Sequence, residues 1–525
     1  MLEFHLPQEA AQWLRSRVTG TLQTDSRLVQ PGDGFIAWPG ASTDARRFVN
    51  SALAGGASAC LVEREGVDAW AFTHGGVAAY PALKAASGPV AAAYFEQPTQ
   101  ALDVMAVTGT NGKTSIAWWL AQALSNLKQQ PAIPCALVGT LGIGQVPTPR
   151  GASTADAPDG ESLRQLVPTG LTTPDPVLLQ ASLRRFVDLG VRACAIEASS
   201  IGLEEHRLDG CQIRTAIFSN FTQDHLDYHG SMQAYWLAKA QLFQWPGLKS
   251  AVINVDDARG AELAQSLQDQ DQDQDHPIDV WTVSVTGPAK LQAQNIRYDA
   301  QGLSFSVVEA QASEELHSRV IGTYNVSNLL CVIAALRSLG VSLAAAVDTC
   351  HDLSPVPGRM ECVGEPGQPL AVVDYAHTPD ALGKALEALR TLSRTRGGQL
   401  WCVFGCGGDR DASKRPLMGS MAGLHADQIV VTTDNPRSEK PQTIISQILL
   451  GLSGHPGVTV QADRALAIAQ TLAEAGPHDV VLVAGKGHED YQETAGQRQP
   501  FSDLAHVRQA LRHWAAPASV GGRHA

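Results

Sequence analysis

The segment from Leu102 to Leu124 constrains this chain more than any other. An apolar run, Leu102 to Val107, leads into Val107-Thr108-Gly109-Thr110-Asn111-Gly112-Lys113-Thr114-Ser115, and a second apolar stretch, Ile116 to Leu124, follows at once. This order reads as strand, phosphate loop and helix, the opening unit of a nucleotide-binding α/β sheet. Gly109 and Gly112 let the backbone turn tightly enough for the loop, with Thr110 and Asn111 between them, to aim amides at phosphate oxygens, and the helix N-terminus adds positive dipole. Lys113 suits bridging terminal phosphates and Thr114 suits ligating Mg2+. Val107 stands where the usual G-x-x-x-x-G-K-S/T pattern begins with glycine, so the pattern is not met to the letter. A solvated Gly-Lys turn is the plainer alternative; it ranks lower because strand, glycines, Lys-Thr pair and helix all fall in order.

At 525 residues the chain is too long for one core, and about three domains of ordinary size are expected. Hydrophobic residues are 44% and charged residues 17%, a globular composition. The net charge of -13 argues against a nonspecific binder of nucleic acid or anionic membranes, so anionic substrates would need dedicated Arg and Lys clusters. Met1 to Val18 lacks a basic stretch followed by an apolar one, and no run of 18 apolar residues occurs, so a cytoplasmic location is the expectation. The nine cysteines show no paired metal spacing, with Cys402 and Cys406 the nearest approach, and read as reduced, buried thiols.

Three units are expected: residues 1–100, 101–354 and 355–525. The first alternates apolar runs, Phe35 to Trp38, Ser58 to Val62 and Val90 to Tyr94, with turn residues, as in a small α/β unit. In the second, strand-like Val191 to Ile196, Thr215 to Phe218 and Ala251 to Ile253 each end before a polar residue, Glu197, Asn220 and Asn254, which is how a parallel sheet delivers side chains to one edge. Gly142 to Gly160 and Gln268 to His276 read as exposed, mobile insertions from their Gly/Pro/Ser/Thr and Gln/Asp compositions. The third unit follows the stiff hinge Leu353 to Gly358, with strands at Leu370 to Val373, Leu400 to Phe404, Gln428 to Thr432 and Val480 to Ala484. The helix Pro379 to Leu392 carries Leu382, Leu386 and Leu389 on one face. The fold class is α/β three times over.

Several residues are placed for chemistry. Glu197 closes an apolar strand and is a natural Mg2+ ligand; an exposed strand-end carboxylate is the alternative. Asn220 to His229 gathers Asp224, His225, Asp227 and His229 after another strand. In the next helix Met232, Tyr235, Leu242 and Phe243 put Lys239 in the middle of an apolar face. Desolvation lowers a lysine pKa, and the resulting amine can capture CO2 as a carbamate that acts as a carboxylate ligand. On spacing alone, a Lys239 that snorkels to water is the favoured reading.

Taken with Ser199-Ser200, His206-Arg207, Asp224-His225-Leu226-Asp227, Ala238-Lys239, Tyr324-Asn325 and Asn328, Pro357 to Glu361, Asp374-Tyr375-Ala376-His377 and Gly485-Lys486-Gly487-His488-Glu489, the loop and Glu197 occur in the order seen in the Mur ligases. The chain resembles that family over nearly its whole length. The resemblance implies an N-terminal α/β domain for the uridine end, a central P-loop ATPase and a C-terminal Rossmann-like domain that brings an amino acid. It also implies that Ser26, Arg27, Thr172, Thr173, Ser199 and Arg207 hold a UDP-sugar peptide. Lys113, Thr114, Asn328, Arg359, Asp374 and His377 would surround ATP, and Thr114, Glu197, His225 and a carbamylated Lys239 would organise Mg2+. Lys113, Glu197, His225 and Lys239 form the implied catalytic set. Plainer roles exist: Thr172-Thr173 as a helix cap, Asn328 as a turn or cap, Arg359 as a surface charge. Ile201 and Gln223 depart from the family, which commonly has His and a basic residue there; neither is an expected catalyst.

Asp434-Asn435-Pro436-Arg437 resembles the signature of the family's diaminopimelate-adding branch. An arginine fork at Arg437 can take a carboxylate in bidentate fashion, which diaminopimelate offers at its distal head and lysine does not. Glu489, beside Gly485, suits the distal ammonium, and Arg410 a carboxylate. The expected reaction joins meso-diaminopimelate to the D-Glu γ-carboxylate of UDP-MurNAc-L-Ala-D-Glu through an acyl phosphate, with ATP as co-substrate and Mg2+ as cofactor. Rivals are the same chemistry on L-lysine, a folate-type polyglutamate ligase, and a nucleotide-dependent switch. The expected partners are these small molecules, with no nucleic acid and no membrane insertion, and the expected state is a monomer.

Overall fold

The computed structural model describes residues 1–40, 43–128, 132–147, 166–270, 277–299 and 302–515. Three main sheets follow one another along the chain. The first is all parallel, in the order Leu2–Glu3, Val77–Tyr80, Ala59–Glu63, Gly34–Ala37, Leu22–Gln23. The second has ten strands, from the antiparallel edge Ala312–Ser318, Gly302–Glu309 and Leu291–Asp299, through parallel Asp279–Ser284, Ser250–Asn254, Thr215–Phe218, Asp103–Thr108, Ala193–Glu197 and Cys135–Gly139, to Gly142–Gly144. The third runs Glu361–Val363, Leu370–Asp374, Val480–Ala484, Leu400–Phe404, Gln428–Val431, Val458–Val460, with only the first strand antiparallel.

Strand Asp103–Thr108 shows why its residues sit where they do. Met105 and Val107 pack into one core, while Val104 and Ala106 pack into the core on the opposite face. A strand buried on both faces reads as an unbroken apolar run, as this one does. The helix after the loop, Lys113–Ser125, is buried almost all round, held between the sheet and helix Tyr324–Ser338. Both are buried on nearly every side, the pattern of a core helix. In the third unit, helix Pro379–Arg396 begins with Thr378 capping the Ala381 N–H and with Pro379 at its first position, and Gly397 closes it at φ 73°. Its Leu382, Leu386 and Leu389 are all buried.

The apolar run Val90 to Tyr94 is the end of helix Leu83–Tyr94, and Val77–Tyr80 is a further strand of the first sheet. The alanines at 91 to 93 favour helix, and the helix is packed against Pro7–Arg15 and Pro176–Asp188. Gly88 of this helix lies so close to the Asp209 carbonyl that no Cβ fits between them. The segment assigned to a mobile insertion from Gly142 begins instead as an edge strand, Gly142–Gly144, paired antiparallel with Cys135–Gly139. Its glycines extend at φ 124° and 154°, conformations that composition alone reads as loop; residues 148 to 160 lie outside the described residues. Likewise Gln268 to Gln270 finish helix Ala258–Gln270, and 271 to 276 lie outside the described residues.

Candidate active site

Strand Asp103–Thr108 lies between Thr215–Phe218 on one side and Ala193–Glu197 on the other. Open α/β sheets bind ligands beyond the carboxyl ends of their strands, where successive connections part to opposite sides. The phosphate loop, Glu197 and Ser219-Asn220 all emerge there. They line a cavity of about 560 Å³ together with Asn328, Arg359, Asp374 and His377. At Gly109, φ is 140° and a Cβ would collide with Ser219 Oγ, so this turn requires glycine. The Thr110 N–H donates to the Asn220 carbonyl over 2.8 Å, and the Asn111 N–H to Asn220 Oδ1 over 2.9 Å. Lys113 Nζ donates to the Gly109 and Thr110 carbonyls, each over 2.9 Å. Burial lowers the Lys113 pKa, with Glu197 and Asp224 opposing.

Glu197 is fully buried and well satisfied. Its Oε2 accepts from Thr114 Oγ1 over 2.9 Å and from Thr140 Oγ1 over 3.1 Å, while Oε1 accepts from the Thr140 N–H over 2.8 Å. Carboxylate and hydroxyl oxygens suit a hard cation such as Mg2+. Among the described residues no three His, Cys, Asp or Glu side chains converge as a ready-made metal site, so a cation here would rely on hydroxyl, water and substrate oxygens, as Mg2+ does.

Of the four residues expected around the cation, Thr114 and Glu197 touch, while His225 and Lys239 have other partners. His225 stands 3.5 Å from Asp224, and burial brings its pKa down to about 4 although Asp224 opposes. Asp224 also lies 3.8 Å from His377; burial would raise its pKa, but His377, His225 and Lys414 hold it down at about 2. Lys239 is 1% exposed, so it does not snorkel. Its Nζ donates to the Gly109 carbonyl over 2.8 Å and lies 4.5 Å from the Tyr235 ring centroid. Burial, reinforced by Lys113, holds its pKa well below the usual lysine value.

On the nucleotide side, Arg359 donates to Thr114 Oγ1 over 3.2 Å and lies over the Tyr375 ring, so it is not a free surface charge. Asn328 is in mid-helix rather than at a turn or cap, and donates to Asn325 Oδ1 over 2.8 Å. Asp374 accepts from the Met360 N–H over 2.7 Å; burial raises its pKa against the pull of Arg359. The His377 pKa is lowered, chiefly by burial.

Thr172, Thr173, Ser199 and Arg207 form one group beside Glu197. Thr173 Oγ1 lies 2.7 Å from the Glu197 carbonyl and 3.0 Å from Ser199 Oγ, and Arg207 donates to the Thr173 carbonyl over 2.9 Å. Thr172 Oγ1 lies 3.1 Å from Thr140 Oγ1, whose own proton goes to Glu197. The adjacent helix Pro176–Asp188 is capped by Asp175, not by the threonine pair. Ser26 and Arg27 do not line this cavity; Arg27 forks onto Asp25 with its side chain 85% exposed.

The amino-acid residues gather at the carboxyl edge of the third sheet. Asn435 Nδ2 donates to Glu489 Oε2 over 2.8 Å, and a Cβ on Gly485, where φ is 118°, would collide with Asp434 Oδ2. Arg437 donates to the Gly408 carbonyl over 2.7 Å from a left-handed backbone at φ 50°. Arg410 contacts only its neighbour, the Asp409 carbonyl, over 3.2 Å among the described hydrogen bonds.

Besides Arg359 with Thr114 and His377 with Asp224, further contacts join this unit to the phosphate-loop unit. Asn111 Nδ2 donates to Asp380 Oδ2 over 3.0 Å, and Gln223 Nε2 lies 3.3 Å from both Asp411 Oδ2 and Ser413 Oγ. Asp380, Thr140 and Lys486 are site residues that the sequence reading gave no role. Lys486 lies inside the Gly485 to Glu489 motif, which is a usable signal; Thr140 lies in a two-residue hairpin turn that carries none.

Two family models match: Mur ligase middle domain over residues 107–336, and Mur ligase, glutamate ligase domain over 358–487. The UDP-N-acetylmuramoyl-L-alanyl-D-glutamate--2,6-diaminopimelate ligase of Acidovorax sp. (strain JS42) is 60% identical over 507 residues, 96% of this chain and 97% of that one. That of Pseudomonas aeruginosa is 44% identical over 94% of this chain and 96% of its own. A solved structure of a UDP-N-acetylmuramoyl-L-alanyl-D-glutamate--2,6-diaminopimelate ligase is 37% identical, covers 94% of each chain and superposes with a TM-score of 0.62. A folylpolyglutamate synthase of Mycobacterium tuberculosis, 16% identical with a TM-score of 0.57 over 77% of this chain and 92% of its own, shares the fold. Matched from end to end by such relatives and across both larger sheets by the family's own models, the chain belongs to the Mur ligase family.

Proposed function

We propose that this chain is an ATP-dependent ligase that adds meso-2,6-diaminopimelate to the D-Glu γ-carboxylate of UDP-MurNAc-L-Ala-D-Glu in the cytoplasm, as a step of peptidoglycan precursor synthesis. The observation that carries the reading is the 60% identity over 96% of the chain to a relative named for that ligation. Boundaries near 100/101 and 354/355 are supported by sheets that span Leu2 to Tyr80, Asp103 to Ser318 and Glu361 to Ala484. Among the described residues no helix is long and apolar enough to cross a membrane.

In this reading ATP lies along the cavity, with Lys113 leaving its own loop's carbonyls to meet the terminal phosphates. The loop Gly109 to Gly112 would turn its backbone amides to the phosphates, those of Thr110 and Asn111 leaving Asn220, and Asn328, Arg359, Asp374 and His377 close around the nucleotide. Thr114 and Glu197 would hold Mg2+, assisted by His225 and a carbamylated Lys239; the cation, when bound, offsets charge on the phosphoryl group. A γ-carboxylate oxygen of D-Glu attacks the γ-phosphorus and ADP leaves. The neutral amine of diaminopimelate then attacks the acyl carbon, phosphate leaves, and the amine loses a proton as the amide forms. No protein side chain becomes a nucleophile, so the chain's contribution is positioning and electrostatics. Thr172, Thr173, Ser199 and Arg207 would orient the sugar peptide beside Glu197, with Ser26 and Arg27 at the uridine end. Arg437 and Arg410 would take carboxylates of the incoming amino acid, and Glu489 its distal ammonium, within a frame built by Asp434, Asn435 and Gly485.

The test is incubation with MgATP, UDP-MurNAc-L-Ala-D-Glu and either meso-diaminopimelate or L-lysine, following phosphate release and product mass. A tripeptide product with diaminopimelate alone is expected. Product with lysine would overturn the role given to Arg437, and no product with either would overturn the ligase reading.

A further inference from the structure

Lys486 is wholly buried, yet it lies between Gly485 and Glu489 at the carboxyl end of strand Val480–Ala484. A buried ammonium needs both its charge and its donors answered. Its Nζ donates to Glu489 Oε2 over 2.9 Å and to Asn435 Oδ1 over 3.0 Å. Asn435 Nδ2 donates to the same Glu489 Oε2 over 2.8 Å, and the Glu493 N–H donates to Asn435 Oδ1 over 3.0 Å.

This closed set of bonds removes choices that the side chains would otherwise have. Asn435 Oδ1 receives two donors, so flipping the amide would set its NH2 group against an ammonium and a backbone N–H. Glu489 Oε2 receives two donors as well. Among the described residues Oε1 carries no protein hydrogen bond, and it is the oxygen left to accept from a ligand. The Glu489 side chain is 16% exposed and that of Lys486 is 0% exposed. A ligand can therefore meet the carboxylate but not the lysine behind it.

We propose that Lys486 is a positioning residue for amino-acid recognition: it acts through Glu489 and Asn435, fixing the carboxylate so that Oε1 faces the amino-acid ammonium. The assignment rests on the ligase reading and deepens it. Holding one oxygen from behind sets the direction of the other, which is the part a supporting shell plays in a precise binding site. The ammonium also offsets the charge of Glu489, so the site recognises an amino-acid head by hydrogen-bond direction as well as by attraction.

The experiment is steady-state kinetics of the full-length enzyme with each substrate varied in turn, for Lys486→Met, Glu489→Gln and the double variant. Lys486→Met is expected to raise KM for meso-diaminopimelate at least tenfold, with KM for ATP and for the UDP-dipeptide within about twofold of wild type. In the Glu489→Gln background the same substitution is expected to change the diaminopimelate KM less than threefold, since groups acting as one unit are not additive. A loss shared by all three substrates, or fully additive effects in the double variant, would overturn the assignment. If Lys486→Met loses the wild-type melting transition, Lys486→Gln, which keeps a donor and drops the charge, decides. It should raise the diaminopimelate KM at least threefold and leave that of ATP unchanged; equal shifts in both overturn the proposal. Wild-type enzyme without diaminopimelate-dependent turnover would overturn the ligase reading, and this assignment with it.

Discussion

Thr114 Oγ1 donates to Glu197 Oε2 over 2.9 Å although 83 residues separate them in the chain. The hydroxyl opens the helix after the phosphate loop, and the carboxylate closes the neighbouring strand. Replacing Glu197 with Gln keeps its volume and removes the charge that a divalent cation needs. Turnover is expected to fall by about two orders of magnitude or more, and the Mg2+ concentration for half-maximal rate to rise at least tenfold. A magnesium titration at saturating substrates checks this; an unchanged requirement would remove Glu197 from the cation site.

Lys239 supplies a second test. Its burial beside Lys113 favours the neutral amine, the form that captures CO2. Lys239→Ala is expected to lose at least about 100-fold in turnover and to regain part of it when formate or acetate is added, since a small carboxylate can occupy the space the carbamate would fill. Wild-type activity without added acid would show that the carbamate is not needed.

Arg437 is expected to matter for one substrate only. Charge-assisted hydrogen bonds contribute about 1.5–3 kcal/mol, so Arg437→Ala should raise KM for diaminopimelate about 10- to 100-fold and leave KM for ATP nearly constant. Equal shifts in both would mean that the loss came through misfolding of the left-handed turn.

His488 gives the fold a pH dependence of known sign. Burial, with help from Arg359 and Lys486, brings its pKa down to about 3 from the ordinary 6.5. The unfolded chain therefore takes up this proton as pH falls below 6.5, while the folded protein resists it. The stability contribution is complete above pH 6.5 and is lost progressively down to about 3. Denaturant melts between pH 7 and 4 should show a slope that His488→Gln reduces by at most about 1.4 kcal/mol per pH unit. An identical slope in the variant would assign the dependence elsewhere.

Gly88 marks a close approach between the first and second units, where a Cβ would meet the Asp209 carbonyl. Overpacking of this kind costs about 1–3 kcal/mol. Gly88→Ala should lower the first melting transition by a few degrees, roughly 2–4 °C per kcal/mol, with KM for diaminopimelate unaffected.

What could be read in advance followed from periodicity and local order. The buried strand before the loop and the Leu382, Leu386 and Leu389 stripe are local patterns, and each is found in the structure; spacing alone favours a Lys239 that snorkels, and the structure buries it. Contacts made by distant residues left no such trace. Thr140 meets Glu197 across 57 residues, and Arg464, wholly buried, pairs with Asp503 across 39 while donating to the carbonyls of Thr433 and Ala484. Tertiary packing also overrode composition once: glycines 142 and 144 became strand. Ser26 and Arg27 were proposed by likeness alone, and neither lines the cavity.

The bond from Asn111 to Asp380 spans 269 residues and ties the phosphate loop to the start of helix Pro379–Arg396. With the contacts of Gln223 to Asp411 and Ser413 it makes a small clasp. A hydrogen bond to a carboxylate is worth about 1.5–3 kcal/mol, a bias of roughly ten- to a hundredfold in population. Such a clasp favours one arrangement of the two units without locking it. An enzyme that must admit three substrates and discharge tripeptide, ADP and phosphate gains turnover from a grip that ordinary thermal motion can release.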